Sequence, residues 1–113
     1  MYPIAWLMGT PLADCHQIAV LLGKKLIFNE FLAYLDLKEL ISGESPAISE
    51  RAKIIATYAL CGFSNLGSIG IQIGGISAIA PSRQQDLAQL SISALVAGSI
   101  ACFMTACIAG ILI

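Results

Sequence analysis

Residues 51–80 read RAKIIATYALCGFSNLGSIGIQIGGISAIA. From Ile54 to Ser82 there are 29 residues without a charge, longer than the roughly 20 apolar residues a membrane-spanning helix needs. The run is broken in the middle. Residues 51–62 form one apolar segment that Ser49 is placed to cap, and 68–80 form another that Pro81 ends. Between them lies Phe63-Ser64-Asn65-Leu66-Gly67, and five of the ten glycines fall within positions 62–75. Each half has about 12 residues, or about 18 Å at 1.5 Å per residue. That reaches the middle of a bilayer core of about 30 Å without crossing it. The reading is a re-entrant helical hairpin over 49–81. One long kinked helix is the alternative. Either way, irregular backbone at that depth must be buried in protein or line a cavity. Gly70 and Gly74 make a GxxxG pair, read as helix packing.

Downstream, Leu87–Ile113 adds 27 uncharged residues with no proline. A transmembrane helix over 83–113 follows, and Ser82 with Gln85 is read as its capping box. Its small residues form two ridges at spacing four: Ser93, Ala97, Ala101, Thr105, Ala109 and Ala94, Gly98, Cys102, Ala106, Gly110. Such ridges let helix backbones approach closely in lipid.

Upstream, the charges gather. Of 13 charged residues among 113, 11 lie between Asp14 and Lys53. Thr10-Pro11 is read as a helix start. A discontinuous helix is expected over 11–41, with halves near 11–24 and 30–41, or else an interfacial helix followed by a short insert. Residues 42–48 are a polar linker. Arg51, Lys53 and Lys38 are read on the same membrane face as Arg83, which would make that face cytoplasmic and the C-terminus periplasmic. Both chain ends are apolar, and no signal peptide is evident at Met1–Gly9, so a piece of a longer membrane protein is expected.

Composition excludes several classes. The chain is 58% hydrophobic and only 12% charged, with mean hydropathy +0.85. Disorder is excluded. A net charge of −1 offers no basic face for nucleic acid. Cys15, Cys61, Cys102 and Cys107 lie in apolar runs and read as small packing hydrophobes. His16 beside Cys15 lacks the further ligands of a metal centre, and the glycines fit no dinucleotide or phosphate loop. Glu30 is the sharpest functional signal, because an ionisable group at membrane depth usually marks a substrate, ion or proton site; an interfacial glutamate paired with lysine is the alternative. Asn65, Ser68 and Ser64 form a second polar cluster, explicable as a site or as simple capping.

The motifs Asn29-Glu30-Phe31-Leu32-Ala33-Tyr34 and Ala59-Leu60-Cys61-Gly62-Phe63-Ser64-Asn65, with Gly74-Gly75, Ala80-Pro81-Ser82-Arg83 and Thr105-Ala106, resemble the C-terminal part of the concentrative nucleoside transporters. Leu32 and Ser64 stand where the family pattern has Val and Ala. The resemblance implies an all-α, inverted-repeat transporter and not an enzyme. It implies a homotrimer in the bilayer of a bacterial inner (plasma) membrane, moving nucleosides by alternating access with Na+ or H+ as the coupling ion. It also implies that Glu30, Asn65 and Ser68 contact the ribose and that Phe63 lies beside them. The base-reading hairpin and the sodium ligands would lie in a missing N-terminal part. A non-transporting membrane subunit and a small multidrug-exporter-like protein are the competing classes.

Overall fold

Side-chain caps set where three of the six α-helices start. In the computed structural model, which describes all 113 residues, the order is α1 (Tyr2–Leu7), α2 (Cys15–Ile27), α3 (Glu30–Ile41), α4 (Glu50–Leu60), α5 (Leu66–Ile79), a 3-10 turn (Pro81–Arg83) and α6 (Gln84–Leu112). Asn29, Ser49 and Asn65 each accept a bond from a first-turn amide, those of Leu32, Ala52 and Ser68. These bonds satisfy donors that no helix can satisfy internally.

Two boundaries differ from the sequence reading. Pro11 begins a turn, its carbonyl accepting from the amides of Asp14 and Cys15, and α2 starts four residues later than Pro11. Asp14 is held there by Ser49, whose hydroxyl donates to Oδ2 at 2.6 Å. At the other boundary, Ser82 and Gln85 make no capping box. Pro81 starts a 3-10 turn instead, and α6 begins without a side-chain cap. Arg83 pairs with Asp86 at 2.7 Å in the open, which stabilises little.

The hairpin and the broken helix have exchanged places. α2 and α3 pack side by side, tied by the Lys24–Asp36 ion pair, and turn back at Phe28-Asn29. They are the hairpin. α4 and α5 do not pack on each other; both pack on α6. The contacts run steadily down α6. Arg51 donates to Gly110 O at 2.7 Å, Cys102 donates to Cys61 O at 2.8 Å, and Ser64 lies against Gly98. Ile76 and Leu87 then line one groove. α4 and α5 therefore lie end to end, antiparallel to α6, as one helix broken at Cys61–Asn65. The hairpin expected over 49–81 and the discontinuous helix expected over 11–41 are corrected accordingly. Periodicity cannot tell a broken helix from a hairpin, since both are two short helices around a turn.

This order also overturns the charge reading. Arg51 reaches Gly110, whereas Arg83 adjoins the opposite end of α6. The two ends of the 29-residue helix are about 42 Å apart. Arg51 and Arg83 do not share a face, and the sidedness drawn from them falls.

α6 is the one helix long and apolar enough to cross a membrane. Of its two small-residue ridges, the one running Ala94, Gly98, Cys102, Ala106, Gly110 packs on α4 and α5; the other is mostly exposed. Gly70 and Gly74 meet nothing within 4 Å, so their expected packing role has no partner within the chain. The core lies between α2, α4 and the C-terminal half of α6, around Ile18, Leu22, Ile55, Ala56, Ala59 and Ala106.

Candidate functional site at two helix breaks

The hairpin tip and the α4–α5 break meet. A Cβ placed on Gly67 would lie 3.7 Å from Phe28 O, and Asn65 Nδ2 donates to Glu30 Oε2 at 2.9 Å. Glu30 is the first residue of α3, and Asn65 caps α5. Two helix N-termini, each with a positive dipole end, therefore converge on one carboxylate.

Asn65 is 2% exposed and Ser68 4%. Asn65 Oδ1 accepts from the Ser68 amide at 2.8 Å, and the Asn65 amide donates to Ser68 Oγ at 3.2 Å. This capping box fixes which side-chain atom of Asn65 is oxygen, and so aims its NH₂ at Glu30. The Ser68 hydroxyl donates to Asn65 O at 2.7 Å. Glu30 Oε1 accepts no hydrogen bond within the chain, and the amides of Leu66 and Gly67 donate none. The break thus holds a carboxylate oxygen and two backbone donors that have no hydrogen-bond partner within the chain.

Of the four residues singled out from sequence, Glu30, Asn65 and Ser68 form one bonded group. Phe63 does not join it. The residue is 56% exposed and lines, with Ser64, Ser68, Gln72, Ala94 and Gly98, a groove of about 330 Å³ between α5 and α6. Ser68 belongs to both the bonded group and the groove; Glu30 and Asn65 lie outside the groove lining.

The C-terminal side of the break involves residues that sequence reasoning missed. The last carbonyls of a helix lack internal partners, and at membrane depth water does not supply them. Tyr34 Oη donates to Thr57 O at 2.7 Å and Lys25 Nζ to Ala59 O at 3.3 Å. Cys102, read as a packing residue, donates to Cys61 O. Gly62, at φ +141, lies so close to the Cys102 sulfur that no side chain fits. The one available signal was Lys25 itself, a second lysine in an apolar stretch; nothing in the sequence marks which carbonyls the other two serve.

Residues 1–110 match the family described as "Na+ dependent nucleoside transporter C-terminus". The chain is 49% identical to human solute carrier family 28 member 3 over 97% of its own length and 18% of that protein's. It is 43% identical to mouse sodium/nucleoside cotransporter 1, again over 97% of this chain and 19% of the relative. Among solved structures, CNTnw in an inward-facing substrate-bound state superposes with TM-score 0.92 at 43% identity, covering 96% of this chain and 26% of that one. The chain spans about a fifth of the length of the curated relatives it matches. These relatives are animal proteins, and they lend the expected bacterial origin no support. They are transporters, not enzymes. The chain belongs to the Na+-dependent nucleoside transporter family, within that family's C-terminal region.

Proposed function

We propose that this chain is the C-terminal part of a multi-pass plasma-membrane symporter that moves nucleosides by alternating access, with Na+ as the coupling ion. The observation that carries the reading is the Glu30–Asn65 pair at two converging helix starts. A ribose offers hydroxyl donors and acceptors without charge. The open Glu30 oxygen accepts from hydroxyls, and the remaining Asn65 and backbone donors serve ribose oxygens. In this reading α2–α3 is a re-entrant hairpin, and α4–α5 is a broken spanning helix whose break carries half the substrate site. Phe63 borders that site from the groove. The base-reading half, the coupling-ion site and the homotrimer contacts belong to the rest of the protein. A subunit that only packs has no use for a bonded polar group at a double helix break.

The test is uptake by the full-length protein in liposomes. A nucleoside should accumulate when a Na+ gradient is imposed, and not with choline or with a proton gradient alone. Uptake equal to that of empty liposomes under every gradient would overturn the reading. Mass measurement of the purified protein checks the trimer.

A further inference from the structure

Lys25 is 1% exposed and among the largest fully buried side chains. No carboxylate lies within 4.0 Å of its ammonium. Burying an unpaired charge is costly, so something must offset it. Its partners are the Ala59 carbonyl at 3.3 Å and the Phe103 ring, 5.8 Å to the centroid. Ala59 is the penultimate residue of α4, and the C-terminal end of a helix carries partial negative charge. The ammonium is also 3.9 Å from where a Cβ on Gly62 would stand, at the start of the break. Unwound carbonyls and half-helix C-termini are the groups with which transporters of this kind hold a monovalent cation. Here one such carbonyl, that of Ala59, holds a lysine instead.

We infer that the Lys25 ammonium is a tethered cation at the α4–α5 break, occupying the place a free Na+ would otherwise take, so that this break needs no ion of its own. The inference rests on the transport reading for its functional meaning. In structural terms, the hairpin supplies the charge that the broken helix requires. The same hairpin carries Glu30 to Asn65, which makes Lys25 a positioning residue for that pair. Lys24, its neighbour, pairs instead with Asp36 on the hairpin surface.

The experiment compares wild type with Lys25→Ala, Lys25→Met and Lys25→Arg in the full-length protein. Thermal midpoints are followed as Na+ replaces choline at constant ionic strength, without nucleoside. Lys25→Ala opens a space beside the freed Ala59 carbonyl at the end of α4. Its midpoint should rise with Na+ more steeply than that of wild type, because an added ion binds only the folded form. Its uptake should recover at high Na+, with about one further Na+ moved per nucleoside. Lys25→Met fills the space without charge and should stay impaired at every Na+ concentration. Lys25→Arg keeps the charge and should show no steeper Na+ response than wild type.

Assembly of Lys25→Ala only at high Na+ would support the inference. Failure to assemble at any Na+, or a Na+ response no steeper than that of wild type, would overturn it. So would a Lys25→Met variant with wild-type stability and uptake. The midpoints involve no nucleoside, so a wild type that fails to transport sinks the transport reading while the Na+ response still decides the role of Lys25.

Discussion

Asn65 Nδ2 and Glu30 Oε2 stand 2.9 Å apart although 35 positions separate them in sequence. The contact joins two breaks, the turn at Phe28-Asn29 and the interruption at Cys61–Asn65. A carboxylate one residue into a helix is ordinary for soluble proteins, where water shares its charge. Here its neighbours are a buried amide and the start of a second helix. The pair is therefore the place where a single hydrogen bond joins the two breaks.

Glu30→Gln keeps the shape, and a Gln Oε1 still accepts from Asn65, so the pair should survive. In the proposed site, the substitution removes the charge that would strengthen bonds to ribose hydroxyls. A hydrogen bond to a charged group contributes about 1.5–3 kcal/mol, so nucleoside binding should weaken about 10- to 150-fold. Equilibrium binding to the purified full-length variant measures it. Unchanged affinity would leave Glu30 a structural residue.

Asn65→Asp separates capping from the Glu30 contact. Aspartate caps as well as asparagine, so α5 should still begin at Leu66. The NH₂ group becomes an acceptor facing Glu30, and two like charges then meet at hydrogen-bond distance. Uptake should fall to background at neutral pH while the helix content seen by circular dichroism is unchanged. Asn65→Ala should instead lower the thermal midpoint, because it removes a cap contributing about 1 kcal/mol. Wild-type uptake by Asn65→Asp would contradict the assignment.

The end-to-end arrangement of α4 and α5 has a topological consequence. Lys53 lies near the start of α4, and Gln84 begins α6. In a cysteine-free background, Lys53→Cys and Gln84→Cys should react with a membrane-impermeant thiol reagent from opposite sides of the membrane. A hairpin over 49–81 would place both on one side. Labelling of both from the same side would return the chain to that earlier reading.

Gly110 sits where α6 passes beneath the α1–α2 connection. A Cβ there would approach Met8 O, a backbone atom, to 2.6 Å, and backbone cannot swing aside as a side chain does. Arg51 binds the Gly110 and Gly9 carbonyls at the same point. Gly110→Ala should lower the thermal midpoint of the full-length protein and reduce its yield. Gly23→Ala, with nothing within 4 Å of the added carbon, is the control and should leave the midpoint within a degree or two, since overpacking of about 1–3 kcal/mol arises only at the crowded site. Equal effects at both positions would show that the crowding at Met8 relaxes freely.

Local chemistry was legible in the sequence. Ser49, Pro81 and the Gly/Asn/Ser turn mark the ends of α4 and α5, because caps and breakers act within a few residues of themselves. The length of the final apolar run marks α6, since spanning length is a property of one segment. Glu30, Asn65 and Ser68 stood out because charge and polarity are conspicuous in a chain with so little of either. Nothing local distinguishes two helices folded back on each other from two laid end to end. That choice depends on which neighbour each half finds. α6 offers its Ala94–Gly110 ridge as a continuous track, and α4 and α5 follow it in turn, while Lys24 and Asp36 close α2 onto α3. Tertiary packing also decided which groups serve the broken helix. A carbonyl without a partner is a demand that any nearby donor can meet, and only the fold brings Tyr34, Lys25 and Cys102 to Thr57, Ala59 and Cys61. The sequence by itself thus determined where α4 starts, where the chain breaks before α5 and where α5 stops; contact between segments decided the directions of the helices, because direction is set by the surface a helix buries and not by the residues at its ends.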